Sequence, residues 1–282
     1  MALNLVIPKG NLFAKVEQLL RDAGIKIIGD SRNYRPQCSD KNIQVKLLKS
    51  QNIPELIAFG QHDIGFAGAD WIAEQQADVE VLLDLGFNPV DIVACIPEDS
   101  DYSTLQKGKM IVASEYKNLA KQYLDNLGVD YQLFRAYGAT EVLPPEDADL
   151  IIDNTSTGTT IRANRLKIVA TLMTSSTRLI ANKAALQDAQ KKQQIDDLLL
   201  LIRGVINARE KVLLEMNCPE SALDAVVAIL PAMRSPTVSK LFRQEGYAIK
   251  SAVAAGEVKD LIPKLIQAGA SDILESAIRK VL

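Results

Sequence analysis

The chain has 282 residues, 48% hydrophobic and 24% charged, with a formal net charge of -3, the balance of an ordinary globular protein long enough for two or three lobes with their own cores. That charge argues against sequence-independent nucleic-acid binding, and no apolar run reaches membrane-spanning length. Three scattered cysteines (Cys38, Cys95, Cys218) are expected as free thiols, while the single histidine, His62, in a turn, argues against a His-ligated zinc site and a Ser-His-Asp triad.

The opening MALNLVIPKG is broken by Pro8 and Lys9 too early for a secretory signal, so the expected compartment is the cytoplasm. Leu3, Leu5 and Ile7 alternate as a strand. Leu12, Phe13, Val16, Leu19, Leu20 and Ala23 then follow helical spacing, with Gly24 in the position of a C-terminal cap. Lys9 and Gly10 thus occupy a strand-to-helix turn, where a lysine is either solvated or within reach of a phosphate. Ile43 to Leu47 reads as a strand and Ile53 to Phe59 as a helix stopped by Gly60. His62, in the turn Gly60 to Asp63, is expected to face solvent.

Asp63 to Gly68 reads as the next strand, and Asp70 reads first as the N-cap of the helix that follows. It also stands at a strand-to-helix junction, where open α/β sheets place ligands. Val81 to Leu85 and Asp91 to Ile96 are strands joined through Gly86 to Pro89, the expected crossing between two lobes. Met110 to Ala113 and Leu133 flank a helix near Tyr116 to Leu127, and the polar turn Gly138 to Glu141 follows.

Leu150, Ile151 and Ile152 form an apolar run that suits a strand buried on both faces of a parallel sheet, placing Asp153 at its end. Asn154, Thr155, Ser156, Thr157, Gly158, Thr159 and Thr160 are too polar to continue a core strand, and Ile161, Ala163 and Leu166 begin a helix. A strand, a hydroxyl and glycine loop and a helix N-terminus together suit a phosphate, because the NH groups of a first helical turn point outward and hydroxyls add donors. The competing reading is an ordinary loop whose hydroxyls cap a helix. A carboxylate just before such a loop is placed to accept from ribose hydroxyls or to meet a magnesium ion, so the pair suggests a ribose 5-phosphate.

Val169 to Met173 and Leu179 to Ile180 are late strands, and Gln187 to Glu210 is mostly helix with Leu198 to Ile202 buried. Beyond Glu210, strand Val212 to Met216, helix Ser221 to Leu230, a strand at the end of PAMRSPTVSKL, strand Tyr247 to Ala254, helix Val258 to Ala268 and strand Asp272 to Leu282 give the order βαββαβ. That order is ferredoxin-like.

The stretches IPKG, DIGFAGAD, GATEV, ADLIIDNTSTGTTIRAN, SSTRLIANKAAL, LPAMRSPTVSKL and LIPKLIQAGASDIL, in this order and spacing, resemble the long form of the ATP phosphoribosyltransferase family. The resemblance implies an α/β fold: a bilobed catalytic body like type II periplasmic binding proteins, with lobe I at 1–90 and 183–210 and lobe II at 91–182, plus an ACT-like regulatory domain at 211–282. It implies a pentosyltransferase in which adenine N1 of ATP displaces pyrophosphate from phosphoribosyl pyrophosphate, the first step of histidine biosynthesis, with Mg2+ as cofactor and histidine as inhibitor.

By the same resemblance Asp153, Asn154, Thr155, Ser156, Thr157, Gly158, Thr159 and Thr160 hold the sugar phosphate, with Asp153 toward the metal. Lys9, Gly10, Asp70 and Glu141 line the nucleotide and pyrophosphate side, Arg32 joins the substrate site, and Asn217, Ser235, Thr237 and Asp272 lie at the effector pocket. A homo-oligomer, dimer or hexamer, is implied, without nucleic-acid or membrane partners. The family commonly shows Asn-Gly-Leu after the loop, where this chain has Asn164, Arg165 and Leu166. The rival readings are a bilobed solute-binding or sensor protein and a nucleotide-salvage phosphoribosyltransferase. The salvage loop carries a second acid where this chain has Asn154.

Overall fold

The computed structural model describes residues 2–29, 33–231 and 235–282. Arg32 lies outside them. Contacts divide the chain into two units, one of residues 1–18 and 25–195 and one of residues 19–24 and 196–282.

In the first unit the strands are β1 (Leu3–Pro8), β2 (Ile27–Ile28), β3 (Gln37–Cys38), β4 (Ile43–Leu48), β5 (Ile64–Gly68), β6 (Glu80–Asp84), β7 (Val90–Pro97), β8 (Lys109–Ser114), β9 (Asp130–Arg135), β10 (Leu150–Thr155), β11 (Leu166–Ser175) and β12 (Thr177–Ala181). The helices are α1 (Asn11–Ala23), which continues into the second unit, α2 (Ile53–Ala58), α3 (Ala69–Gln75), α4 (Tyr102–Leu105), α5 (Lys117–Leu127) and α6 (Thr159–Ala163), with α7 (Ala189–Arg209) leaving it. Two five-stranded sheets result, ordered β4-β1-β5-β12-β6 and β11-β7-β10-β8-β9.

The chain crosses from the first sheet to the second between β6 and β7, through the Gly86 to Pro89 stretch that the composition marked out. It returns between β11 and β12, at Ser176. Since β12 pairs antiparallel with β5 and β6, residues 177–181 belong to the first sheet, and the expected end of the second lobe at 182 moves back to 175. Alternation did not reveal this, because β11 and β12 form an almost unbroken run and only their pairing partners differ.

Strand β10 is fully buried at Leu150, Ile151 and Ile152, but its surroundings are mixed: β8 lies parallel on one side and β7 antiparallel on the other. The antiparallel partner extends it to Thr155, paired with Asp91. Asp153 is therefore inside the strand, two residues before its end.

The second unit holds the latter part of α7, then β13 (Lys211–Cys218), α8 (Leu223–Ile229), β14 (Thr237–Lys240), β15 (Tyr247–Ala254), α9 (Val258–Gln267) and β16 (Ser271–Ala277). Its sheet order is β14-β15-β13-β16, all antiparallel, which is the ferredoxin-like arrangement expected. Leu214, Met216, Ile249 and Val253 from alternate positions of β13 and β15 meet Val226, Leu261 and Leu265 of the helices to make the core. β16 stops at Ala277, five residues short of the strand expected to Leu282, where pairing with Val212 ends. The three cysteines are free thiols, and among the described residues no helix is long and apolar enough to cross a membrane.

Candidate active site

The loop after β10 bounds a cavity of about 400 Å3 lined by Asp153, Asn154, Thr155, Ser156, Thr157, Thr159 and Thr160 together with Glu115, Ala139 and Glu141. Gly158 has φ +70 and forms the left-handed N-cap of α6, a conformation that suits a residue without Cβ. Its NH donates to Thr155 Oγ1 at 3.0 Å, and Arg162 N donates to its carbonyl at 3.0 Å as the first bond of the helix. The NH groups of Thr159, Thr160 and Ile161 precede that bond, so they lack an intrahelical acceptor by position. The Thr157 and Thr159 hydroxyls share a hydrogen bond at 2.8 Å, and Arg162 Nη2 donates to the Thr157 carbonyl at 2.9 Å. Residues expected as a helix from Ile161 to Leu166 form only one turn, because Leu166 already begins β11.

Burial pushes the Asp153 carboxyl up from 3.8 to about 6, with the negative charges of Glu115 and Glu141 adding to the rise. The Asn154 NH, donating to Asp153 Oδ1 at 2.7 Å, opposes it. Thr140 Oγ1 faces the same carboxylate and also opposes the rise, yet it is buried without closing a hydrogen bond among the described residues. The lining thus combines three acids, Asp153, Glu115 and Glu141, with a set of neutral donors. Among the described residues no three acids, cysteines or histidines are close enough to cage a metal ion.

Asp70 is placed otherwise than expected. The N-cap of α3 is Gly68, in extended conformation, with Asp70 one residue inside the helix. The Asp70 carboxylate is only 5% exposed and serves more distant groups: Ser175 Oγ donates to Oδ1 at 2.6 Å and Tyr116 Oη to Oδ2 at 2.8 Å. A Cβ on Gly68 would sit 2.1 Å from Asp70 Oδ1, so glycine is required for the close approach. Tyr116 Oη also accepts from Asn154 Nδ2 at 3.2 Å, and the same amide reaches Asp153 Oδ1 at 3.2 Å. A polar chain therefore runs Asp153, Asn154, Tyr116, Asp70, Ser175. Burial and the Asp70 charge hold the Tyr116 phenol protonated, far above its ordinary range.

One face of α3 is inserted into the second lobe. Trp71 joins the core of β7, β8 and β10, its ring 4.8 Å from that of Tyr116. One turn on, the Glu74 carboxylate accepts from the NH groups of Asn118 at 3.0 Å and Leu119 at 2.9 Å, at the start of α5, where a negative charge is favoured by the helix dipole. Tyr116 itself is held by Ser114, whose hydroxyl accepts from Tyr116 N and donates to the Ile152 carbonyl.

Lys9 and Gly10 sit at the end of β1; Lys9 Nζ lies 3.7 Å from the centroid of the Tyr34 ring. In the second unit Asn217 Nδ2 donates to Asp272 Oδ2 at 3.0 Å, and Asp272 takes φ +49. Thr237 lies on edge strand β14, separated by β15 from β13, which carries Asn217. Ser235 and Thr237 are exposed. One chain therefore brings Asn217 and Asp272 together but not Ser235 and Thr237 with them. Residues that the sequence reading did not select are Glu115, Tyr116 and Ser175. A hydroxyl or acid just beyond β8, at the edge where β10 also delivers Asp153, was the available signal.

The ATP phosphoribosyltransferase family matches residues 49–204, and the family described as HisG, C-terminal domain, matches residues 208–280. The ATP phosphoribosyltransferase of Chlorobium phaeovibrioides is 40% identical over 99% of this chain and 97% of its own, and that of Desulforudis audaxviator is 40% identical over the full length of both. The chain belongs to the ATP phosphoribosyltransferase family. A solved structure of that family, the ATP phosphoribosyl transferase (HisG:HisZ) complex from Thermotoga maritima, superposes with a TM-score of 0.64 at 25% identity, covering 71% of this chain and 98% of the other. Family membership carries the activity: transfer of the phosphoribosyl group of phosphoribosyl pyrophosphate to ATP, the first step of histidine biosynthesis. The solute-binding and salvage readings are set aside.

Proposed function

We propose that the cavity at Asp153 holds the phosphoribosyl donor, with the 5-phosphate against the Thr155 to Thr160 donors and the ribose hydroxyls against Asp153. What supports this reading is the meeting in one cavity of a carboxylate, Glu141 and a hydroxyl-rich turn that opens a helix. An ionised carboxylate accepts from two vicinal hydroxyls, whereas NH and hydroxyl dipoles stabilise a phosphate without adding formal positive charge beside the sugar. Displacement at the anomeric carbon builds positive charge on the ribose and negative charge on the departing pyrophosphate. Asp153 and Glu141 stabilise the first, and Lys9 stabilises the second.

No protein nucleophile is required. Adenine N1 attacks directly, and holding it in line with the ribose carbon supplies about 7 to 11 kcal/mol of the barrier reduction. Asp70 and Gly10 belong to the nucleotide side, and Arg32 is assigned to the substrate site by resemblance. Carboxylate oxygens of Asp153 and its neighbours suit a hard cation, so Mg2+ would be held by one of them and by substrate phosphates. When bound it neutralises charge on the leaving group.

Residues 211–282, within the second unit, are the regulatory domain in this reading, with histidine held by Asn217, Asp272, Ser235 and Thr237. The Asn217 to Asp272 contact supports an amine-binding end. Inhibition corresponds to a coupling of about 1 to 3 kcal/mol between effector and substrates. Lobe I is 1–90 with 177–210, lobe II is 91–175, and the working form is a cytoplasmic homo-oligomer, dimer or hexamer.

Titrating ribose 5-phosphate into the wild type and into a Ser156→Ala, Thr157→Ala variant tests the donor assignment. At least tenfold weaker binding is expected, and an unchanged affinity rejects it. Asp272→Ala tests the effector assignment: histidine inhibition should be lost with turnover retained, and retained inhibition rejects the role.

A further inference from the structure

His62, expected in solvent, is only 8% exposed. It closes a second polar cavity of about 260 Å3, lined by Asn4, Arg35, Lys46, Leu56, Gln61 and His62. The sheet explains the convergence. Asn4 on β1 and Lys46 on β4 sit at even positions of neighbouring parallel strands, whose odd positions Leu3, Leu5, Ile43, Val45 and Leu47 are buried in the core. Leu56 reaches the cavity from α2, and the Gln61 NH returns to the Leu56 carbonyl at 3.0 Å, fixing the turn that carries His62.

The electrostatics of this cavity are one-sided. Burial lowers the His62 pKa, and the charges of Lys46 and Arg35 lower it further, so both cations are near enough to act on the imidazole. No carboxylate is among the lining residues. The adjacent Asp63 carboxylate acts in the other sense on His62, but its oxygens are taken, Oδ2 by the Asn4 NH at 2.8 Å and Oδ1 by Lys191 Nζ at 2.7 Å. Among the described residues neither Arg35 nor Lys46 has an ion-pair partner, and His62 Nδ1 is buried without a hydrogen bond. Like charges gathered round a cavity with amide donors are an arrangement that an anion turns from mutual repulsion into shared attraction.

We propose that Arg35, Lys46 and His62, with the Asn4 and Gln61 amides, form a second anion site that takes a tetrahedral oxyanion of the phosphate class. It shares no lining residue with the Asp153 cavity. Arg35 offers a planar fork and Lys46 a point charge, the two usual ways of holding phosphate oxygens. His62 gains a partner when an anion arrives and becomes a donor itself.

The sole histidine makes the test direct, since one imidazole signal reports this cavity whatever happens elsewhere. The full-length protein is titrated at constant ionic strength with inorganic phosphate, with pyrophosphate and with chloride, following the His62 ring resonance by proton and nitrogen NMR. Either phosphate arm should shift the resonance saturably, with a Kd of about 1 mM or tighter, and the arm that saturates first identifies the source. Lys46→Met should weaken that response at least tenfold while leaving turnover unchanged. An unmoved resonance in both phosphate arms overturns the proposal, as does an equal shift with chloride or an undiminished response in Lys46→Met.

Discussion

The cavities at Asp153 and at His62 both lie in the first unit and are both polar, yet their charges are opposite. The first has three acids and no lysine or arginine among its lining residues; the second has arginine, lysine and histidine and no acid. Neutral dipoles and formal cations hold an anion by different physics. A cradle of NH and hydroxyl groups is fixed by the backbone and loses little to salt, whereas a cluster of flexible cations pulls over a longer range and is screened. The dipole cradle also leaves the neighbouring sugar free to become positive. A lysine at that spot would raise the barrier to the transfer.

The largest effect that bears on this contrast is Asp153→Ala. Turnover should fall by a factor of about 100 to 1000, the usual loss for one preorganised electrostatic group, with the far-ultraviolet circular dichroism unchanged. A folded variant with wild-type rates breaks the account of the acidic cavity. Tyr116→Phe comes next. It leaves the buried Asp70 Oδ2 without its donor, a loss of about 1 to 3 kcal/mol, and it cuts the polar chain to Asn154. The melting temperature and kcat should both drop, and a variant with neither change removes Tyr116 from the machinery.

The pH dependence of stability separates the two cavities further. The folded Asp153 carboxyl is raised to about 6 from 3.8, so the folded protein binds more protons than the unfolded chain between these values. Its contribution is fully present below about pH 4 and is lost as pH rises through 6. Asp153→Asn should therefore stabilise the substrate-free protein at pH 8, by at most about 3 kcal/mol, and give no advantage at pH 4. His62 has a lowered pKa in the folded state, so its contribution has the reverse sign and appears as pH rises. A gain for Asp153→Asn that does not depend on pH contradicts this.

The smallest expected effect is Arg165→Gly. Arg165 takes φ +54 at the position where the family commonly has glycine, and a left-handed non-glycine residue carries about 1 kcal/mol of strain. Glycine relieves it but enlarges the unfolded ensemble. A net gain of about 0.5 kcal/mol, read as a small rise in melting temperature, is expected; a lower melting temperature would show that the Arg165 side chain contributes more than its backbone costs.

Local pattern made much of this fold legible. Tyr247 to Ala254 is β15 residue for residue, and the crossing at Gly86 to Pro89 falls between the sheets. Asp153 and its loop were also legible, because an acid followed by hydroxyls and glycine is a local signal. Features made by distant partners were not. Asp70 looked like an N-cap because the Ser175 and Tyr116 that engage it are 105 and 46 positions away. His62 looked exposed because turns usually are; the cavity enclosing it is built by Asn4, Arg35, Lys46 and Leu56. The two strand residues credited to the loop, Asn154 and Thr155, are strand only because β7 runs beside them.

Trp71, the sole tryptophan of the chain, is anchored in one lobe and seated in the core of the other. That seating gives the protein an intrinsic optical gauge. Any separation of the two lobes would take the indole from the Tyr116 ring into water, so its emission would report that change by moving to longer wavelength. No attached dye is required for that measurement.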